Sequence, residues 1–264
     1  MGRRFEGRTV WITGASSGIG EATAREFSQE GARVILSARR RDELERVARA
    51  CVSGATEVVP LDLAASDALA GIAADVLARF GPVDVMVHNG GVSQRALAKD
   101  TTPAVDRRIM EVNYFGAVAL TSALLPSMLA RRAGHFVVVT SLVGKFGTPL
   151  RSSYAASKHA LHGYFDSLRA ELHGDGVRVT LVCPGFVRTN VSLHALTGDG
   201  SPLDSMDRQT GRGMSPEACA RALLEATARG DEEILVGGYE RVGVYAKRYV
   251  PGVFSRLIRR VPVT

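Results

Sequence analysis

Short runs rich in β-branched residues alternate with longer segments whose apolar positions recur every three to four residues. The runs are TVWIT (9–13), RVILSA (33–38), TEVVPLD (56–62), VDVMVHN (83–89), HFVVVTS (135–141), VRVTLVCP (177–184) and EEILVG (232–237). Helical periodicity covers residues near 18–30, 41–52, 66–80, 103–132, 152–173 and 215–229. Strands separated by helices join through right-handed crossovers into a parallel sheet. The expected fold is therefore α/β, a single doubly wound sheet of seven parallel strands flanked by helices.

Two segments break the alternation. Residues 186–213 are polar and Gly-rich and follow a strand end, where ligands bind in such sheets, so they read as a lid. Residues 239–264 form a basic extension, which leaves 1–238 as one domain that includes the lid. With 264 residues, 45% hydrophobic and 23% charged, the composition is that of a globular chain. No apolar run approaches the roughly 18 residues that span a bilayer, and MGRRFEGRTV has no apolar core of a secretory signal, so cytoplasmic residence is expected. Cys51, Cys183 and Cys219 are widely spaced and suggest neither a disulfide framework nor a metal site. Of the net charge of +6, all but one unit falls after residue 239, where six Lys/Arg face one Glu. The body is nearly neutral, which argues against nucleic acid as a partner.

The stretch TVWITGASSGIGEATAREF runs strand, Gly-rich turn, helix. Gly14, Gly18 and Gly20 stand where a missing Cβ permits a tight turn and lets backbone N–H groups approach a phosphate at a helix N-terminus. That placement points to a dinucleotide on a Rossmann-type sheet. An acidic residue at the end of the second strand would bind the ribose 2′-hydroxyl of NAD. Here ILSARRRDEL has no carboxylate before Asp42 and sets Arg39, Arg40 and Arg41 in its place. A guanidinium suits a 2′-phosphate, so the expected cofactor is NADP(H) with Arg39 as its main contact. Arg40 and Arg41 read equally well as an exposed helix start.

In SSYAASKHALHGYF, Tyr154 and Lys158 lie one helical turn apart. Moving a phenol from a pKa of about 10 to about 7 takes roughly 4 kcal/mol. A unit charge about 4 Å away at an effective dielectric near 20 supplies that order of energy. Ser141, at the carboxyl end of HFVVVTS, offers a hydroxyl to polarise a carbonyl oxygen. Taken alone, Tyr-x-x-x-Lys also fits a half-buried aromatic beside a solvated lysine.

With these motifs laid out, the chain from residue 7 to about 237 resembles the short-chain dehydrogenase/reductase family. The resemblance rests on TGASSGIG (13–20), LDL (61–63), HNGG (88–91), EVNYFG (111–116), SLVG (141–144), YAASK (154–158) and PGFVRT (184–189). It implies that Tyr154 is the acid/base, that Lys158 lowers its pKa and binds the nicotinamide ribose, that Ser141 holds the substrate oxygen and that Asn113 maintains a water-linked proton path. It implies cofactor contacts from Gly14, Ser16, Ser17, Gly18, Ile19 and Gly20, from Asp62 and Leu63 at the adenine, from Asn89, Gly90 and Gly91, and from Pro184, Gly185, Val187 and Thr189. The chain departs from the family's Asn-Asn-Ala-Gly at His88-Asn89-Gly90-Gly91, and His88 reads as a structural donor at a buried strand end or, alternatively, as a catalytic histidine. HNGGVSQRALA, NYFG and SKHALHGYFDSLRAEL look closest to the branch related to dehydrogenase/reductase member seven, which implies a lipophilic carbonyl or alcohol as substrate. The family also implies a homodimer or homotetramer.

By position in the family, the pocket is walled by residues after Ser141, by Gln94–Leu97 and by 186–213, and Val143, Phe146, Leu150, Phe186, Leu193 and Leu196 make it apolar. Arg151 reads as a solvated bystander or as a site for an acid group. In the tail, Val253, Phe254, Leu257, Ile258 and Val261 share one face of a short helix after Pro251-Gly252. The stripe fits packing on protein or peripheral contact with an anionic membrane. Against the oxidoreductase reading stands a non-catalytic NADP(H)-binding or membrane-surface protein on the same fold.

Overall fold

The computed structural model describes residues 3–52 and 55–260. Seven strands, β1 (Thr9–Thr13), β2 (Arg33–Ser37), β3 (Thr56–Val58), β4 (Val85–His88), β5 (Gly134–Val139), β6 (Val177–Pro184) and β7 (Glu233–Val236), form one sheet in the order β3-β2-β1-β4-β5-β6-β7. Every pairing is parallel. The central strands are covered on both faces, which is why they read as continuous apolar runs rather than alternating ones. Trp11 on β1 stands level with Ile35 on β2 and Met86 on β4. Its indole N–H donates to Ser37 Oγ at 2.8 Å, which satisfies the one polar atom of a fully buried ring.

The helices are α1 (Gly18–Gln29), α2 (Arg41–Arg49), α3 (Ser66–Phe80), α4 (Pro103–Met110), α5 (Gly116–Arg131), α6 (Ser152–Glu171), α7 (Arg208–Gly211), α8 (Pro216–Arg229), α9 (Val242–Tyr249) and α10 (Pro251–Ile258). One core lies under α3, α5 and α6, where Leu69, Leu120, Leu124, Phe136 and Phe165 are buried. The other lies under α1, α2 and α8, around Phe27, Val34, Leu44 and Leu223. Chain order reverses direction across the sheet between β1 and β4, and the carboxyl ends of those strands open a crevice there.

The structure corrects several expected boundaries. The third strand ends at Val58, and the rest of VVPLD runs on as loop to Asp62. The single helix expected over 103–132 is interrupted by a π-helical turn at Glu111–Phe115. By length and composition the 29-residue run Pro103–Arg131 is apolar enough to cross a membrane, contrary to the sequence expectation. In this fold it lies on the sheet, with Leu120, Leu124 and Met128 in the core. Residues 186–213 contain only the short α7 and isolated bridges, and they wall the crevice.

Candidate active site

The crevice is a cleft of about 470 Å³, and every residue assigned from the sequence to the cofactor or the chemistry lines it except Gly20 and Asn113. Its first wall is backbone. Gly14 has φ +66°, a left-handed conformation, and a Cβ there would stand 2.7 Å from Gly90 Cα. A Cβ on Gly20 would meet the Gly14 carbonyl oxygen at 2.2 Å, so Gly20 serves the packing of α1 on the loop rather than a ligand. Thr13, which the sequence reading passed over, fixes the opposite wall: its Oγ1 accepts from the N–H groups of both Asn89 and Gly90 at 3.1 Å. Asn89 Nδ2 donates back to the carbonyls of Thr13 (3.0 Å) and Gly14 (3.2 Å). A cradle that side chains would fill, at the N-terminus of α1, fits the pyrophosphate of a dinucleotide.

At the far end of this wall, Arg39 and Arg40 are exposed on the cleft, and Arg39 has no ion pair with a described residue. Arg41 turns away to Glu45 (3.6 Å). Asp62 accepts from Ala64 N at 3.0 Å and faces Arg108 at 3.5 Å. Val187 is buried and bridged to Met214, while Thr189 lies against Gly18. His88 faces away from the cleft. Its Nε2 shares a hydrogen bond with Thr121 Oγ1 (2.8 Å), its ring stacks on Phe136, and burial pushes its pKa down to about 3. At neutral pH it is an uncharged core side chain. A Cβ on Gly90 would reach within 2.5 Å of Leu63 Cδ1, so the change from the family's alanine makes room for that leucine.

The second wall carries the chemistry. Tyr154 and Lys158 stand in the first turns of α6, whose leading N–H groups are capped from a distance: Gln94 Oε1 accepts from Ser153 N (2.8 Å) and Tyr154 N (3.4 Å). Gln94, expected in the pocket wall, is thus fully buried as a helix cap. Ser141 shares a hydrogen bond with the Tyr154 hydroxyl, donates to Pro184 O (3.3 Å) and accepts from Val143 N (3.3 Å). Lys158 Nζ donates to Val139 O at 2.9 Å and lies 5.9 Å from the centre of the Tyr154 ring. The ammonium thus stands over the phenol ring one helical turn away, anchored on a backbone carbonyl. Burial raises the Tyr154 pKa, and Arg151, the Ser141 hydrogen bond and Arg95 oppose that rise. Burial also brings Lys158 down to about 8.

Asn113 sits in the π-helical turn, which rotates it inward. Its Oδ1 accepts from Val92 N (2.8 Å), and its Nδ2 donates to Val92 O (2.9 Å) and Ser157 Oγ (2.9 Å). It ties the loop after β4 to α6 and so fixes the position of Lys158 relative to the glycines.

The substrate end differs most from its sequence reading. Of the six apolar residues expected there, only Phe186 lines the cleft; Val143 and Phe146 are buried beside α10. Arg95 and Arg151 line it instead. Both converge on Asp207, which Arg95 contacts closely through Nη2 and at 2.9 Å through Nε, and Arg151 at 3.6 Å. Ser192 and Thr210 donate to the same carboxylate, at 2.8 and 3.2 Å. Burial alone would raise the Asp207 pKa, but these partners hold it below the ordinary range. Residues 186–213 are pinned by this buried cluster. Among the described residues, His162, Cys183 and Glu233 also come together, a grouping hidden in the sequence. Opposite ring nitrogens of His162 face Cys183 (3.8 Å) and Glu233 (3.7 Å), and the Lys145 ammonium already holds Glu233 at 2.6 Å.

A glycine cradle and a Ser, Tyr and Lys set sharing one cleft on a doubly wound sheet define a nucleotide-dependent oxidoreductase fold. The family model of the short chain dehydrogenases matches residues 8–197, and the chain belongs to that family. It is 43% identical to the "Dehydrogenase/reductase SDR family protein 7-like" of Anopheles gambiae, over 98% of this chain and 84% of that one. Among solved structures it resembles a short-chain dehydrogenase from Streptomyces avermitilis (TM-score 0.81, 32% identity, 95% of each chain). It also resembles a metagenomic short-chain oxidoreductase in complex with NADP (TM-score 0.74, 33% identity, 88% of this chain and 98% of that one).

Proposed function

We propose that this protein is an NADP(H)-dependent oxidoreductase that interconverts a carbonyl and an alcohol on a small molecule. The observation that carries the reading is the meeting of Ser141, Tyr154 and Lys158 opposite the glycine wall in one cleft. Gly14, Gly18 and the Asn89–Gly91 turn hold the dinucleotide, and Arg39 takes its 2′-phosphate. Bound there, the reduced cofactor supplies a hydride. Tyr154 Oη gives a proton to the carbonyl oxygen in reduction and takes it back in oxidation. The Ser141 hydroxyl donates to the same oxygen, Lys158 supports proton return to Tyr154, and Asn113 keeps Lys158 in place. Intact proton-transfer groups favour this reading over a non-catalytic nucleotide-binding protein.

Phe186, Val187 and Val191 support an apolar portion of the substrate, while Arg95 and Arg151 make that end of the cleft more polar than the sequence suggested. A homodimer or homotetramer is in keeping with the partly exposed Phe115 and Leu129 on the helical run from α4 to α5. The test is a panel of ketones, aldehydes and alcohols followed by nicotinamide absorbance with NADPH and NADH. Turnover with a preference for NADPH, reduced at least tenfold by Arg39→Asp, is expected. An unchanged preference removes Arg39 from its role, and no turnover with either cofactor across the panel favours the non-catalytic reading.

A further inference from the structure

Beyond Gly238 the chain turns at Tyr239–Arg241 and forms the hairpin of α9 and α10. One side of it is fixed to the domain. Phe254 is buried edge-to-face on Phe146, with ring centres 5.3 Å apart, and Val244, Ala246 and Ile258 pack on the same cluster. The Glu240 carboxylate accepts from Phe186 N at 3.2 Å, which attaches the hairpin to the rim of the cleft. The single stripe read from the sequence is thus split, with Phe254 and Ile258 inward and Val253 and Leu257 outward; Val261 lies outside the described residues.

The outward side is apolar and unpartnered. Val242, Tyr245 and Tyr249 recur at helical spacing along α9 and are 65%, 55% and 76% exposed, and Val253 and Leu257 on α10 are 52% and 57% exposed. Around them stand Arg241, Lys247, Arg248, Arg256, Arg259 and Arg260, all exposed. None has an ion pair with a described carboxylate, whereas Arg4, Arg25, Arg46, Arg131 and Arg169 in the body each have one. Residues 241–264 hold six Lys/Arg and no acid, which matches the net charge of the whole chain.

We propose that this face of the hairpin rests on an anionic lipid bilayer, which makes the protein peripheral to a membrane. Tyrosine and aliphatic side chains ringed by cations match the boundary between acyl chains and acidic headgroups. A second copy of the chain suits the face poorly, because an isologous contact sets the same patch against itself and opposes cation to cation without a carboxylate. The proposal concerns where the protein sits and stands apart from its chemistry.

The full chain is sedimented with vesicles of phosphatidylcholine alone and with vesicles containing phosphatidylglycerol. Partitioning onto the acidic vesicles only, weakened by added salt, is expected. Arg256→Gln with Arg259→Gln lowers it by roughly fivefold per cation removed. Tyr245→Ser with Leu257→Ser lowers it as well. Both pairs leave NADPH affinity and melting temperature unchanged, which shows the fold intact. Equal partitioning onto neutral and acidic vesicles, no partitioning, or variants that bind like the parent overturn the proposal. So does a lipid-free dimer that Tyr245→Ser with Leu257→Ser converts to monomer, since a second copy then covers the face.

Discussion

The dinucleotide end of the cleft is built from backbone, with Gly14 and Gly20 in backbone contacts that no Cβ tolerates and Thr13 and Asn89 bonding the main chain. The substrate end is built from side chains, with Arg95 and Arg151 gathered on Asp207, 112 positions after Arg95. Backbone walls constrain residue type at fixed spacing, so a cofactor common to many enzymes is held by a short, repeatable pattern. Side-chain walls are free to change as long as charge and volume balance. That division lets one scaffold keep its redox chemistry while its substrate varies.

Three variants sharpen the comparison. The largest effect on stability is expected from Asp207→Asn, which leaves two buried guanidiniums without their shared carboxylate. A loss of about 3–5 kcal/mol, near 10 °C in melting temperature, should follow. A loss below 1 kcal/mol means the substrate end is not held by charge. Gly14→Ala places a side chain on left-handed backbone and costs about 1–3 kcal/mol, with a drop of more than tenfold in NADPH affinity by fluorescence titration. Unchanged affinity would contradict a backbone-built cofactor wall.

The third effect appears only as pH falls. His88 has a folded pKa of about 3, below its unfolded value near 6.5, so only the unfolded chain gains the proton as pH falls between them. Stability present above the unfolded value is lost across that window. His135 and His162, each lowered to about 4 by burial, add to the loss. His88→Asn should reduce the slope of unfolding free energy between about pH 6 and 4 by about 1.4 kcal/mol per pH unit, as measured by urea melts. An unaltered slope means that His88 accepts its proton in the fold.

The two ends also differ in how far the sequence revealed them. The seven strands and their parallel sheet, the glycine turn and the Tyr154–Lys158 spacing follow from local pattern, because parallel strands and helix faces impose periods of their own. The break at Glu111–Phe115 escaped, since a π-helical turn adds one residue without changing helical composition. Gln94 as a helix cap, Arg95 with Asp207 and His162 with Cys183 also escaped, because only the folded chain brings such distant positions together. Sequence spacing placed Lys158 on the same face of α6 as Tyr154, while the bond that anchors its ammonium, to the Val139 carbonyl, comes from a strand the spacing does not reveal. The tail divided at Pro251 as its proline indicated, while which side of each helix faces the domain depended on Phe146.

The most direct test of the account is Tyr154→Phe, assayed with whichever carbonyl the panel identifies. The variant should bind NADPH within about threefold of the parent and lose roughly a thousandfold or more in turnover, as expected when a proton donor is removed from the reacting oxygen. Turnover within tenfold of the parent, with the cofactor still bound, would contradict proton transfer at that phenol.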